Sequence, residues 1–215
     1  MSPTTFPFES PVIYLASQSE RRFCLLAQAK IPFLPLSLKS EGRGAVREVP
    51  HAGERPEDYV NRMARAKAVV GLRQSRLLGL SPLPVLGADT EVVLADNIFG
   101  KPKDADDARA MLSALSGVTH QVISSVALAT MNPNQAEKRV GVKSATVITQ
   151  VTMKPLSDAE ITDYLVSSEW QGKAGAYAIQ GCAGSFVKHL SGSFTGVVGL
   201  PLFETVTLIT PYLRR

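Results

Sequence analysis

Two adjacent arginines stand at the start of what reads as a helix in LASQSERR, residues 15–22, directly after a short apolar strand. The first turn of a helix carries unsatisfied N–H groups and partial positive charge, so cations are disfavoured there. Arg21 and Arg22 make sense at that place if an anion supplies the missing charge. Free backbone N–H groups, the Ser17 hydroxyl and two guanidinium forks together suit a phosphate. The same residues also fit a helix with solvent-facing arginines, capped by Ser17 with Glu20 three positions on.

Asp89 follows the apolar run VLGA and precedes Thr90, which places a carboxylate at a strand end, partly buried. Such a group must be hydrogen-bonded, paired or metal-bound, so it is either a turn-capping aspartate or a general base or metal ligand. Lys101, in FGKPKD, comes after the next strand and gains interest from its closeness to Asp89 across the expected hairpin. Lys67 lies four residues after Met63 and three before Val70, on the inward side of a helix. It either snorkels along apolar surface or reaches a phosphate from beneath. The stretch WQGKAGAYAIQGCAGSF, residues 170–186, sets four glycines beside Lys173, Tyr177 and Gln180. That suits either a tight connection or a backbone folded against a flat ligand. It is neither GxGxxG in a βαβ unit nor a Walker motif.

These residues need elements to hold them. Residues 12–16 read as a buried strand, followed by a helix boxed by Ser17 and Glu20, and 37–55 as a long polar loop. Pro56 opens a helix to about residue 78, with Tyr59, Met63, Ala66 and Val70 on its buried side. Residues 83–88 and 91–95 read as strands either side of Asp89-Thr90. Asp104 starts a helix that stops at Gly117. Long antiparallel strands follow at 121–130 and 138–153, joined by MNPNQ, and Ser157 with Glu160 caps another helix. SFVKHL and TGVVGL read as strands around a Ser-Gly-Ser turn, and Pro201 opens a last helix. A βα start followed by hairpins implies an α/β fold with a mixed sheet.

The chain has 215 residues and is 45% apolar, enough to bury a core in a single domain, with a tail of about 11 residues in front. Its net charge is +4, and the excess is uneven: residues 1–80 hold 12 Lys/Arg against 7 Asp/Glu, the rest 11 against 12. An anion therefore belongs with the first part. Aromatics make up 7% of residues and no run of five like charges occurs, so a nucleic-acid groove is poorly supported. Cys24 and Cys182 show no metal or redox spacing and read as reduced thiols. No signal peptide or membrane span is legible, which implies a cytoplasmic protein with no membrane partner.

Together these segments resemble the Maf family of nucleoside triphosphate pyrophosphatases. LASQSERR is similar to the family's LASxSPRR. Residues 87–90 resemble its GADT, 100–102 its GKP, 173–181 its KAGAYxIQG and 199–201 its GLP. The resemblance implies an elongated fold like the inosine-triphosphatase group: a mixed sheet flanked by helices, two lobes around a nucleotide cleft, and a homodimer. It implies Asp89 as the catalytic acid/base, and Ser17, Arg22, Lys67 and Lys101 as triphosphate-binding groups. It also implies a divalent cation, Mg²⁺ or Mn²⁺, held by Asp89 and Glu48. Arg21, Thr90 and Gln180 match the branch acting on dTTP and UTP rather than the 7-methyl-GTP branch. The alternatives are a pyrophosphatase for other nucleotides such as 7-methyl-GTP and, from the family's link with septum formation, a nucleotide-sensing regulator of division with little turnover. Two positions depart from the pattern: Glu20 stands for Pro, and Arg47 for the Asp beside Glu48.

Overall fold

A computed structural model describes residues 10–38, 45–131 and 140–213. Seven strands form one mixed sheet: β1 (Ile13–Leu15), β2 (Phe33–Pro35), β3 (Val85–Leu94), β4 (Asn97–Phe99), β5 (Thr119–Met131), β6 (Val140–Met153) and β7 (Val187–Ser191). The spatial order is β2-β1-β3-β5-β6-β7, and β4 pairs with β3. β1 runs parallel to both β2 and β3, whereas the pairs from β3 onward are antiparallel. The expected mixed α/β sheet is what forms. Its helices are α1 (Glu20–Gln28), α2 (Pro56–Leu77), α3 (Ala105–Leu115), α4 (Asp158–Val166), α5 (Phe194–Val198) and α6 (Leu202–Leu213).

β3 is the element that organises the site. Residues 83–88 and 91–95 were expected to flank a turn at Asp89-Thr90; instead a single strand runs through them. The reason lies across the ladder, where Asp89 pairs with Ser125 and Thr90 with Ser124 on β5, so the backbone has partners without turning. The turn falls later, at Ala95 and Asp96, both with positive φ (47° and 65°), and leads into β4. On its other edge β3 pairs with β1 only as far as Leu86 and with β4 only from Val92. Residues 87–91 therefore border a gap in the sheet.

Alternation along β3 sends Val85, Gly87, Asp89, Glu91 and Val93 to the α2 face. Val85 packs with Ala64, Ala68 and Leu72, and Val93 with Tyr59, Val60 and Met63. Between them Gly87 lets the helix come very close. A Cβ there would stand 2.4 Å from the Ala64 carbonyl and 2.5 Å from the Ala68 nitrogen. The expected helix from Pro56 forms. Tyr59 and Met63 are buried as anticipated, but its inner stripe continues through Ala64, Ala68, Gly71 and Leu72 rather than through Ala66 and Val70. On the opposite face Leu86 and Ala88 join Leu15, Leu26, Val198 and Ile209, tying β3 to α1, α5 and α6. A further cluster under α3 and α4 includes Val92, Leu112, Val151, Tyr164 and Tyr177.

Two more expectations fail for local reasons. TGVVGL is helical: Ser193 accepts a hydrogen bond from the Gly196 amide, capping α5, and Gly199 ends it at φ 133°. The β-branched residues there suggested a strand, but the cap decides. The Ser17–Glu20 capping box is absent because α1 begins only at Glu20, with Ser19 as its N-cap. The box at Ser157–Glu160 does form, and Asp104 caps α3. Part of MNPNQ, and residues 39–44 of the long loop, lie outside the described residues.

Candidate active site

A cavity of about 880 Å³ opens over the gap beside β3. Parts of the chain far apart in sequence reach it: the β1–α1 junction, the segment around Glu48, helix α2, strand β3, and the loops carrying Lys101, residues 171–174 and Gly199. Ser17, Arg21, Arg22, Glu48, Lys67, Asp89, Thr90 and Lys101 all line it, so eight sequence-predicted positions far apart in the chain converge. Gln180 does not. It is exposed and outside the lining residues, although Gln171–Ala174 and Tyr177 of the same glycine-rich segment line the wall.

Lys67 is the hub. With α2 held against Gly87, its ammonium reaches Asp89 Oδ1 at 2.7 Å and Glu48 Oε1 at 2.6 Å. The Lys67 side chain is 13% exposed and that of Asp89 8%, so this is a buried ion pair, whereas Glu48 at 48% closes it from the solvent side. Burial alone would raise the Glu48 carboxyl, but the Lys67 charge and hydrogen bond, with Lys101 and Arg22, hold it below its ordinary value. Asp89 Oδ2 is buried with no hydrogen-bond partner. An orphaned carboxylate oxygen inside a cavity is an acceptor awaiting a donor or a cation.

Arg22 is fixed from two sides. Its Nε donates to the Gly199 carbonyl at 2.8 Å and its Nη1 to Ser17 Oγ at 3.2 Å. Ser17 Oγ also accepts from the Ser19 amide at 3.1 Å, so the hydroxyl expected to cap the helix serves the arginine as well. Burial lowers the Arg22 pKa, while Asp89, Glu48 and Glu91 favour its charged form. Arg21 is lowered by burial and then by Arg22 beside it. Thr90 projects from the other face of β3, sharing a 2.8 Å hydrogen bond with Ser124 and donating to the Gly199 carbonyl at 3.3 Å.

Glu91 is the lining residue that sequence reasoning missed. Its Oε2 is buried without a partner, and burial followed by the Asp89 charge pushes its pKa up to about 8. A turn at 89–90 hid it. Once β3 is continuous, the spacing i, i+2 from Asp89 places it on the same face.

Among the described residues no group of three or more His, Cys, Asp or Glu side chains is arranged to hold a metal ion unaided. The donor chemistry nonetheless suits a hard cation. Carboxylate residues line the cavity, Asp89 Oδ2 has no hydrogen-bond partner, and phosphate oxygens of a ligand would complete the shell. Arg47, where the resemblance has an acid, is exposed.

A cavity with basic groups from several elements around buried carboxylates with partnerless oxygens suits a phosphate ester or anhydride. The chain belongs to the family described as Maf-like protein, whose model matches residues 12–212. It is 46% identical over 201 residues to a dTTP/UTP pyrophosphatase of Xanthomonas euvesicatoria pv. vesicatoria, covering 94% of this chain and 98% of the relative. It is 47% identical over 203 residues to the dTTP/UTP pyrophosphatase of Xanthomonas campestris pv. campestris, with 94% and 98% covered. The enzyme of the same name from Aromatoleum aromaticum shares 44% over 203 residues, 93% of this chain and 95% of its own.

Proposed function

We infer that this protein hydrolyses dTTP and UTP to the monophosphate and pyrophosphate. The observation that carries this reading is the Asp89 carboxylate: one oxygen is fixed by Lys67, the other is buried and partnerless, and the residue lines a cavity ringed by cationic side chains. The names of its relatives supply the substrate class.

In the proposed mechanism Lys67 orients Asp89 so that Oδ2 points at a water. Oδ2 takes the water's proton as its oxygen forms a bond to the α-phosphorus, and the bond to the α,β-bridging oxygen breaks. Pyrophosphate leaves with that electron pair. Arg22, Lys67 and Lys101 hold the charge that builds on it, and Ser17 keeps the Arg22 fork in place. This is catalysis by positioning and charge neutralisation. A divalent cation, Mg²⁺ or Mn²⁺, held by Asp89 and Glu48 with phosphate oxygens, would supply further charge neutralisation on the triphosphate. The substrate also explains the helix start: Arg21 and Arg22 sit in a repelling field that the phosphates reverse. Arg21 and Thr90 are the lining groups suited to the base, with the Gln180 amide offering donor and acceptor to an imide edge.

A panel of nucleoside triphosphates, assayed for pyrophosphate release with Mg²⁺, Mn²⁺ and no metal, tests this. Preferential release from UTP and dTTP is expected; no release from either would end the reading. We further infer a homodimer working in the cytoplasm. Phe194 and Phe203, left 49% and 79% exposed on α5 and α6, support self-association, which sedimentation would measure. No helix among the described residues is long and apolar enough to cross a membrane.

A further inference from the structure

The reaction as proposed leaves one buried acid in the cavity without a task. Glu91 stands two residues beyond Asp89 on β3, so both side chains leave the same face of the strand, and both line the cavity. Glu91 Oε2 is buried and meets no hydrogen-bond donor. The same holds for Oδ2 of Asp89, a residue only 6% exposed.

The neighbouring cations do not resolve this. The Lys67 ammonium is placed on Asp89 Oδ1 and Glu48 Oε1, and the Arg22 guanidinium on Gly199 and Ser17. Lys101 lines the same cavity but sits at its exposed side. Nor does packing require an acid at position 91. The flanking Val92 and Val93 are buried in apolar clusters, and an aliphatic residue would satisfy the strand equally well. Two buried carboxylate oxygens on one face, both without donors, are strongly unfavourable alone. They become favourable beside a hard cation that takes oxygen ligands.

We propose that Glu91, through its partnerless oxygen, is a metal-holding residue of a divalent-cation site beside Asp89. The proposal rests on the pyrophosphatase reading for its purpose, but not for its test. It also answers the departure at position 47: with Arg47 exposed and basic, the second interior acid comes from β3 instead of from the segment beside Glu48.

Mn²⁺ binding to the full chain, followed by loss of the free-ion electron paramagnetic resonance signal, tests it without turnover. Glu91→Gln keeps the shape and removes the charge. It should weaken Mn²⁺ binding by about tenfold or more while circular dichroism and melting stay native. Glu91→Asp keeps the charge with a shorter reach and should fall between the two. Undiminished Mn²⁺ affinity in folded Glu91→Gln would overturn the proposal. So would the wild-type chain binding no Mn²⁺, alone or with UMP. UTP hydrolysis measured on the same wild-type preparation separates the failures. Turnover with unchanged Mn²⁺ affinity in the variant removes Glu91 alone, whereas no turnover removes the pyrophosphatase reading and leaves the metal measurement standing.

Discussion

Asp89 on β3 and His120 on β5 are both buried polar side chains of the same sheet, yet their surroundings differ in kind. Asp89 is held by a charged partner, Lys67, keeps an unmatched oxygen, and lines a large cavity. His120 shares a 2.9 Å hydrogen bond with the Tyr177 hydroxyl, edge-on to its ring, opposite the apolar Val151. Its Nδ1 also lacks a partner, but burial lowers its pKa to about 4, so the imidazole stays neutral and tolerates the closed setting. The lesson is that an unsatisfied buried atom signals function only where charge and space accompany it. One cluster is an opening built for a charged ligand, and the other is a neutral strut behind the wall that Tyr177 presents to the cavity.

The comparison breaks most sharply at Asp89. Asp89→Asn keeps the shape and the Lys67 contact but removes the proton acceptor. Hydrolysis of UTP should fall by about 10²–10⁴-fold, with melting temperature and UTP binding close to wild type. Near-full turnover would take Asp89 out of the chemistry. Lys67→Met works on the same pair from the other side. It leaves Asp89 buried without its cation, which should cost about 3–5 kcal/mol in urea unfolding as well as activity. A loss under about 1 kcal/mol would mean that the pair behaves as a solvated surface bridge.

Gly87→Ala tests how the pair is held. The added methyl would meet helix backbone on two sides, at 2.4 and 2.5 Å, and no rotamer change can relieve a backbone clash. We expect a loss of about 3 kcal/mol or more and a rise in KM for UTP, because α2 carries Lys67 away from Asp89. Unchanged stability would show that the helix shifts freely.

Much of this site was legible before the fold. Arg22 and Lys67 have types and spacings that suit an anion, Asp89 one that suits a base or metal ligand, and with Lys101 all four line one cavity. What escaped was decided by partners remote in sequence. Asp89-Thr90 looked like a turn because nothing local announces Ser124 and Ser125 across the ladder. That error hid Glu91. Ser17 looked like a cap because the draw of Arg22 and Gly199 on the helix start is a tertiary effect. TGVVGL resembles a strand in its β-branched composition, but the Ser193 cap makes it helical.

The closed cluster has its own signature. The folded pKa of His120, about 4, lies below the ordinary 6.5, so the unfolded chain binds the proton first as pH falls. Stability from this residue is complete above 6.5, declines by about 1.4 kcal/mol per unit below it, and levels off near 4. His120→Gln retains a polar partner for Tyr177 and removes the titration. Urea titrations of both proteins at pH 7.5 and 5.5 should therefore converge, the wild type losing about 1.4 kcal/mol more than the variant. Equal acid losses would mean that His120 titrates alike folded and unfolded.

The smallest effect is expected at the margin of the cavity. Gln180 is exposed and outside the lining, three residues beyond Tyr177, which lies within it. If the base rests against this segment, the amide contributes one neutral hydrogen bond, worth about 0.5–1.5 kcal/mol. Gln180→Ala should then lower kcat/KM for UTP by about threefold to tenfold. CTP, whose edge presents an amino group where uracil has a carbonyl, should change less. A UTP-to-CTP ratio identical to wild type would transfer base selection to Arg21 and Thr90, which line the cavity. The boundary of the open cluster would then stop at Tyr177, whose hydroxyl already belongs to the closed one.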